Sequence, residues 1–304
     1  MTAVQIDDLT ALVSLLETTP GFEELVAALD SGNSGTIDGA WGSSSALAMA
    51  TLSQRCDSTM LVVLPREADL DDCVSDLESW CGETPAVFPA WASLPQESDM
   101  TDAVFGRRLR ILRQLNSASP PGLVVATIAA LLQPVPARHE IKAATRRLAV
   151  GDQLDENSFC DWLTGRGFES VTGIRLPGEF AVRGGIIDVF PPDADDPCRI
   201  EFFGDEIESI RQFDVGSQRT VATLDAVEIV ILGKTQPAHK SAAAPQVSKS
   251  SRTSGSAAQD DSGHLSASSR FGAESFFDTL PGQAWVVLSE LTDISSEGQQ
   301  YLER

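Results

Sequence analysis

One stretch near the amino terminus has the spacing of a phosphate-binding loop but lacks its functional side chains. A P-loop has the pattern G-x-x-x-x-G-K-[ST], in which the Lys reaches the β- and γ-phosphates and the last hydroxyl holds magnesium. Over residues 39–46 the first Gly is kept, but Ser replaces both the second Gly and the Lys, and Ala replaces the hydroxyl residue. The residues of this degenerate loop are Gly39, Gly42, Ser44, Ser45 and Ala46. Because little besides backbone N–H groups is left to balance triphosphate charge, a plain Gly/Ser loop capping a helix is the favoured interpretation of this fragment alone.

A second segment also lacks a residue that nucleotide hydrolysis requires. The apolar run WVVL at 285–288 predicts a strand, and an Asp-Glu pair after such a strand would form a magnesium-binding Walker B end. Here Ser289 stands at the Asp position and is followed by Glu290. The two losses together predict a nucleotide-binding architecture that no longer hydrolyses nucleotide. We expect no catalytic residue in this chain, and neither ATP nor Mg²⁺ as its cofactor.

Metal and redox chemistry find little support in the sequence. The chain has five cysteines, none of them in a Cys-x-x-Cys pair, and three scattered histidines. This pattern lacks zinc-ligand spacing, and we predict no metal site. The odd number of cysteines favours reduced thiols in a reducing cytosol.

A third candidate is a surface that binds another protein. Short alternating runs between residues 175 and 220 predict a sheet with a two-residue turn after Phe203. The period of two is lost within 207–213, which predicts a bulge or a register change after the turn. Arg and aromatic side chains on a solvated sheet face are typical of a protein-binding hot spot. The alternative is that Phe203 is covered by a neighbouring loop or domain, or is one isolated exposed ring, and the pattern alone slightly favours that alternative. The predicted outward positions on two strands are Glu179, Ala181, Arg183, Arg199, Glu201 and Phe203.

Short apolar strands alternate with amphipathic helices along the first part of the chain. This alternation predicts a parallel sheet with helices on its faces. After a further helix at 155–166, strand signals dominate from 174 to 232. The earlier predicted helices span residues 7–17, 21–29, 46–55, 69–80 and 101–115, and the strands span 60–64, 86–88 and 123–127.

Changes in composition divide the chain into five predicted parts. Helices at 1–29 precede a degenerate P-loop-like α/β subdomain at 30–132 and a β-rich domain at 133–232. Residues 233–270 are rich in Ser and Ala and cannot bury enough apolar surface to offset their ordering entropy, so we predict a disordered linker there. Residues 271–304 predict a return of the chain to the α/β subdomain.

The overall charge argues against a stand-alone nucleic-acid-binding protein. The 304 residues include 22 basic and 44 acidic side chains, a formal net charge of −22, whereas phosphate binding requires Lys and Arg. A direct DNA-binding module stays an alternative because two basic groups exist, although such groups are more often solvated helix faces or interdomain salt bridges. The two groups are Arg107, Arg108, Arg110 and Arg113, and Arg138, Lys142, Arg146 and Arg147.

The N-terminal residues and the hydropathy pattern indicate where in the cell the protein is located. Asp7 and Asp8 stand where a signal peptide would be basic, and no stretch reaches the roughly 18 apolar residues of a membrane span. We therefore predict a cytoplasmic protein without membrane contact.

The run from 177 to 220 closely resembles the inserted second domain of the bacterial transcription-repair coupling factor family (Mfd), a domain shared with the excision-repair protein UvrB. The flanking segments follow the family's order. The degenerate loop comes first, then FPAWASLP at 88–95, the Arg-rich helix, VVATIAALLQPVP at 124–136 and FDTLP at 277–281. The resemblance is highly specific in the run itself and moderately specific in the flanks.

The resemblance covers about residues 8–232 and 271–304, and it separates the chain from UvrB itself. UvrB keeps an intact Walker A loop and a Tyr-rich hairpin that grips DNA. This chain has one tyrosine, Tyr301, and no room for such a hairpin.

The resemblance implies an α/β fold: a degenerate P-loop-NTPase-like parallel sheet with helices, plus an inserted α+β, β-rich domain like the second domain of UvrB. It implies an N-terminal UvrB-like module that recruits UvrA in transcription-coupled nucleotide excision repair, with Arg183, Arg199 and Phe203 as the UvrA contacts. RNA polymerase and DNA would engage C-terminal domains of the family that are absent here, and ATP and Mg²⁺ would bind only its absent C-terminal motor, so this chain would not itself be an enzyme. The alternative is ATP-dependent DNA translocase or helicase activity, if that motor is part of the native protein. A portion of a longer product and a truncated paralogue both stay open, and the end inside a helical pattern favours a portion.

Overall fold

A four-stranded parallel sheet organises the first part of the protein. The structure, a computed structural model, describes residues 10–92, 101–232 and 274–303. The strands are β1 (Met60–Leu64), β2 (Ala86–Phe88), β3 (Leu123–Thr127) and β12 (Trp285–Leu288), arranged in the order β12-β1-β3-β2. The helices of this α/β part are α1 (Ala11–Glu17), α2 (Phe22–Asp30), α3 (Ser43–Ser53), α4 (Leu70–Cys81), α5 (Ala103–Leu115), α6 (Ile128–Leu132), α7 (Arg138–Ala144) and α9 (Leu291–Leu302). Within the described ranges, no helix has the length and apolar character needed to cross a membrane.

Both faces of this sheet are covered, which explains the continuous apolar runs of its central strands. Every residue of β1 and β3 is buried. Leu61 and Val63 pack into a core shared with α5, α6 and α9, whereas Met60 and Val62 pack into a core shared with helices α1 to α4. A helix-covered sheet is thus the arrangement that buries the alternate side chains of each strand.

A β-rich part follows in the chain. Its elements are β4 (Thr145–Ala149), α8 (Glu156–Gly165), β5 (Glu169–Ser170), β6 (Glu179–Val182), β7 (Ile186–Val189), β8 (Cys198–Phe203), β9 (Glu206–Phe213), β10 (Thr220–Leu224) and β11 (Ala226–Val230). Six of the strands form one sheet in the order β10-β9-β8-β7-β6-β5, antiparallel except for the pair β5 and β6, while β4 and β11 form a separate antiparallel pair. Phe159 and Leu163 of α8 pack against one face of the six-stranded sheet.

The predicted α/β class, with a parallel sheet and a separate β-rich part, is confirmed. The predicted bulge after the hairpin turn lies in β9, because Glu201 is opposite Ser209 whereas Phe202 is opposite Ile207, which leaves Glu208 as the extra residue. Helix α3 begins at Ser43, three residues earlier than predicted. The predicted linker at 233–270 and the predicted helix start at residue 7 lie outside the described residues.

The degenerate P-loop architecture is not confirmed. A P-loop connects the end of a strand to a helix. Within the described part of the chain, α2 precedes the loop and residues 31–42 form no strand, so only the helix side of that arrangement is present. The P-loop-like origin of the loop stays a prediction.

Helix α5 joins the two parts of the structure. Gly106 of α5 approaches the backbone of Pro192 so closely that a Cβ atom there would lie 2.0 Å from the Pro192 carbonyl oxygen. Arg110 and Arg113, one and two turns further on, bind the acidic side chains of Asp193 and Asp195 in the same loop. A close backbone contact and these ion pairs therefore hold the β-rich part against α5.

Candidate partner-binding surface

The two faces of the six-stranded sheet differ in what covers them. Cys198, Ile200 and Phe202 of β8 are buried in the core beneath α8. Arg199, Glu201 and Phe203 lie on the opposite face, which we call the outer face. The sheet alternation predicted for this strand is therefore present.

Phe203 projects from the tip of the β8–β9 hairpin. The side chain is 79% exposed, and no residue in the described ranges encloses the ring. Phe203 pairs with Glu206 across a two-residue turn, and the first turn residue, Gly204, has φ of 63°, which Gly adopts without steric cost. The tight turn fixes the backbone that carries the ring, so the ring is an exposed apolar group at a defined position.

Arg183 lies at the same end of the outer face. It follows β6 directly, and Gly184 and Gly185, with φ of 46° and 73°, turn the chain toward β7. The Gly185 carbonyl accepts a 2.8 Å hydrogen bond from the Phe202 N–H, which ties this turn to the end of β8. The exposed Arg183 guanidinium donates one 2.8 Å hydrogen bond to the Thr172 carbonyl, and no described carboxylate forms an ion pair with it.

Arg199 lies four residues before Phe203 on the same face and is held by several contacts. Its Nε and Nη2 atoms donate to the two carboxylate oxygens of Asp188 at 2.7 and 2.9 Å. The hydrogen bond to Asp188 raises the pKa of Arg199 further above its ordinary value. The guanidinium carbon lies 4.4 Å from the centre of the Phe213 ring, and Gln218 Oε1 is 3.4 Å from Nη2. Arg199 is therefore fixed in place, with only 24% of its side chain exposed.

Glu201 lies between Arg199 and Phe203 and belongs to a second cross-strand pair. It accepts a 2.6 Å hydrogen bond from the Ser209 hydroxyl and pairs with Arg211. The Ser209 hydrogen bond, followed by the charge of Arg211, holds the pKa of the Glu201 carboxyl below its usual value. The pairs Arg199–Asp188 and Arg211–Glu201 are each neutral. Of the arginines Arg183, Arg199 and Arg211, Arg183 is therefore the one whose charge no described carboxylate compensates.

Part of the outer face is covered, contrary to the predicted pattern. Ala181 was expected to face outward with Glu179 and Arg183, but it is 1% exposed. It packs with Ile174, Phe190 and Phe213 into a second, smaller core on this side of the sheet. Ala181 therefore lies on the predicted side of the sheet, but the segment before β6 folds back over it, and strand alternation cannot reveal such a cover.

The degenerate loop leads into α3, and several of its backbone N–H groups donate to acceptors within the loop itself. Trp41 N–H donates to Ser44 Oγ at 3.0 Å, and the N–H groups of Ser44 and Ser45 donate to the carbonyls of Trp41 and Gly42 at 3.3 and 2.9 Å. Ala46 is buried. A phosphate-binding loop directs such donors at its ligand, and here these three are engaged inside the loop.

The structure brings together the two segments that were predicted to be degenerate nucleotide motifs. Gly42, Ser45 and Ala46 line a cavity of about 250 Å³ together with Ser289 and Glu290. The cavity lies at the carboxyl end of β1 and β12, the edge at which ligands bind in open α/β sheets. The sequence placed these motifs far apart, and only the parallel pairing of β1 with β12 makes them neighbours.

The charge of this cavity opposes phosphate binding. Its charged lining residues are Arg66, Asp69, Asp72, Asp76 and Glu290. Arg66 already contacts Asp69 at 3.1 Å and Asp293 at 3.4 Å, so its positive charge is compensated. The remaining carboxylates would repel a triphosphate. Among the described residues, no group of three or more His, Cys, Asp or Glu side chains is arranged to hold a metal ion.

The basic helix predicted as a possible DNA contact is engaged inside the molecule. Arg108 is 2% exposed. Arg110 Nη1 lies 2.7 Å from a carboxylate oxygen of Asp195, and Arg113 pairs with Asp193 and, at 2.8 Å, with Glu228. Arg110 and Arg113 thus form salt bridges to the β-rich part, the alternative interpretation of the pattern, whereas Arg108 binds uncharged groups and Arg107 is exposed.

The second basic group is partly engaged. Arg138 donates to a backbone carbonyl at 3.0 Å, and the Arg146 guanidinium lies 5.2 Å from the centre of the Trp162 ring. Lys142 and Arg147 are exposed. Two exposed cations are a weak basis for a phosphate-binding surface.

Asp188 is the residue of the outer face that sequence reasoning missed. It is 4% exposed and is the ion-pair partner of Arg199. A signal was present, because an acidic residue in the apolar run IIDVF at 186–190 needs a cationic partner if it is buried. The identity of that partner required the strand register, which places Asp188 opposite Arg199.

Comparison with known proteins connects the β-rich part to a protein family. The family model described as "UvrB interaction domain" matches residues 147–232. This range starts in β4 and runs two residues past the end of β11, and it contains Arg183, Arg199 and Phe203.

Similar curated proteins are named transcription-repair-coupling factor. The protein of Mycobacterium bovis is 37% identical over 180 residues, which are 56% of this chain and 14% of that protein. The Myxococcus xanthus protein is 32% identical over 236 residues, 73% of this chain and 20% of that protein, and the Escherichia coli protein is 26% identical over 200 residues, 66% and 17%. The chain thus spans at most about a fifth of the length of these relatives. Residues 147–232 match the UvrB interaction domain, and the chain is similar over about half to three quarters of its length to part of the bacterial transcription-repair-coupling factors.

Proposed function

We propose that this chain is a recruitment module that binds UvrA through the outer face of its six-stranded sheet. The observation that carries the proposal is the 79% exposed Phe203 ring at the tip of a tight hairpin, with the exposed Arg183 at the same end of the sheet, directly after β6. An exposed aromatic near fixed arginines is the composition of a protein-binding hot spot. The match of the surrounding domain to the UvrB interaction domain supports UvrA as the partner.

Each residue has a distinct role in this proposal. Phe203 supplies the apolar anchor, since burying its ring removes a large apolar area from water. Arg183 supplies net positive charge that steers an acidic partner surface toward the sheet. Arg199 is held in one orientation and supplies directional hydrogen bonds to a carboxylate of the partner.

The module would act in transcription-coupled nucleotide excision repair, by bringing UvrA to a site of stalled transcription. RNA polymerase, DNA and ATP-driven translocation belong in this proposal to regions of the relatives that the chain does not match. The chain itself is proposed to be non-hydrolytic, which the acidic lining of the cavity beside the degenerate loop supports. A cytoplasmic location follows from this role and is proposed with it.

The proposal is tested by measuring the affinity of the 304-residue chain for the UvrA protein of the same organism, by calorimetry or surface-based kinetics. The variants Arg183→Ala, Arg199→Ala and Phe203→Ala should each weaken binding by roughly 1–3 kcal/mol, the range expected for hot-spot residues. Matched controls on the α/β part are Arg107→Ala and Trp41→Ala, which remove an exposed arginine and a 75% exposed aromatic ring. Wild-type affinity in all three outer-face variants would contradict the proposed surface.

A further inference from the structure

The contacts of Arg199 leave one edge of its guanidinium available. Nε and Nη2 are used by Asp188, and Nη2 also lies near Gln218 Oε1. Nη1 makes no hydrogen bond within the described residues. A guanidinium has five N–H donors in a rigid planar fork, so the Nη1 end can still bind a second carboxylate while the side edge stays on Asp188.

Within the described ranges, Arg199 is the only hydrogen-bond and ion-pair partner of the Asp188 carboxylate. Asp188 is 4% exposed, and both of its carboxylate oxygens accept from Arg199. The ring of Phe213 supports the guanidinium 4.4 Å below. A long side chain that is already ordered in the free protein loses less conformational entropy when a partner binds it.

We infer that Asp188 is a positioning residue for partner binding: it orients Arg199 so that the Nη1 edge of the guanidinium meets a carboxylate of the partner. This inference rests on the proposed UvrA-binding function of the outer face. Because Asp188 neutralises Arg199 at long range, Arg199 contributes geometry to recognition, and the attraction at a distance comes from Arg183.

Asp188→Asn separates geometry from charge, because it keeps the size of the side chain but removes its negative charge. The net charge of the outer face then becomes more positive by one. If simple attraction to an acidic partner determined affinity, this variant would bind UvrA more tightly. The positioning role predicts the opposite, a loss of about fivefold or more that lies mainly in the dissociation rate.

A double-mutant comparison shows whether Asp188 acts through Arg199. Asp188→Asn added to Arg199→Ala should cause no further loss of UvrA affinity, because the group to be positioned is already gone. An equal loss in both backgrounds would mean that Asp188 acts through the fold, and it would overturn the inference. So would unchanged or tighter binding by Asp188→Asn alone.

Arg199→Lys gives an independent test if Asp188→Asn does not fold, as judged by thermal unfolding. Lys keeps the charge but cannot bind Asp188 through a two-donor fork and present a second edge. It should lose nearly as much UvrA affinity as Arg199→Ala, and affinity near wild type would overturn the inference. Unaltered binding by Arg199→Ala alone would also overturn the inference. Only wild-type affinity in Arg183→Ala and Phe203→Ala as well would contradict the proposed surface, so the two failures are distinguishable.

Discussion

The guanidinium of Arg108 carries a positive charge into the core of the α/β part. It lies between the rings of Phe88 and Trp91, with its central carbon 4.1 and 4.2 Å from their centres. It donates to the Pro89 carbonyl at 2.8 Å and to Gln133 Oε1 at 3.2 Å. Burial lowers the pKa of Arg108 to about 9, so the side chain is still charged at neutral pH. Arg108 thus joins the end of β2 to the segment after α6.

Replacing Arg108 by Ala should destabilise the protein by roughly 3 kcal/mol, because buried carbonyl and amide oxygens lose their donor and the two rings lose their packing partner. Urea unfolding of the chain measures this. The neighbouring exposed arginine is a matched control, and Arg107→Ala should change the free energy of unfolding by no more than about 0.5 kcal/mol. Equal stability of the two variants would contradict the structural role of Arg108.

The sequence predicted the basic character of this helix, but the four arginines were treated as one group. Helical spacing places position 108 on the apolar stripe with Phe105 and Leu112, whereas positions 107, 110 and 113 point elsewhere. The buried guanidinium donates to carbonyl groups of residues 89, 130 and 134. Those groups come from other segments, so the partners of Arg108 follow from tertiary structure alone.

Helix α5 determines how the β-rich part is attached to the parallel sheet. Its contacts with the 192–195 loop combine the close approach of Gly106 with the ion pairs of Arg110 and Arg113. A side chain at position 106 would require backbone movement, because the obstructing atom is a carbonyl oxygen.

Gly106→Ala should therefore destabilise the protein by about 2 kcal/mol or more through overpacking. The measurement is the shift of the thermal or urea unfolding midpoint. Gly122→Ala is the control, since a Cβ atom at residue 122 would meet no other atom within 4 Å. If both variants unfolded at the same midpoint, the close contact between α5 and the loop would be refuted.

The strands were predicted better than the surface they build. Apolar runs and alternation located β1, β3 and β8 with the observed bounds and predicted the bulge in β9. Alternation gives the face of each residue, and it correctly separates Phe203 from Phe202. It does not show what covers a face. The burial of Ala181 depends on the segment before β6, and the pairing of Arg199 with Asp188 depends on the strand register.

The protein has a net charge of −22, and in the part of the chain that the structure describes Arg110, Arg113 and Arg199 are engaged in internal ion pairs. This balance is unfavourable for binding polyphosphates or DNA and compatible with binding another protein. The cavity beside the degenerate loop also has an excess of negative charge, because its lining carboxylates outnumber its one arginine.

We accordingly expect no ATP hydrolysis above background by this chain, and no rise in its unfolding temperature when Mg²⁺ and ATP are added, because a ligand that does not bind cannot stabilise the fold. A phosphate-release assay and thermal unfolding measure the two quantities. Robust turnover that a Ser45 or Ser289 substitution abolishes would show that the site is active.

The most direct test of the account is photo-crosslinking from position 203 in the complex with UvrA. Benzoylphenylalanine at residue 203 keeps an aromatic ring at the hairpin tip, and the same amino acid at position 41 replaces an equally exposed ring on the α/β part. We predict a crosslink to UvrA from position 203 and none from position 41. A crosslink from position 41 with none from position 203 would place the UvrA contact away from the outer face. It would contradict the proposal that the outer face binds UvrA.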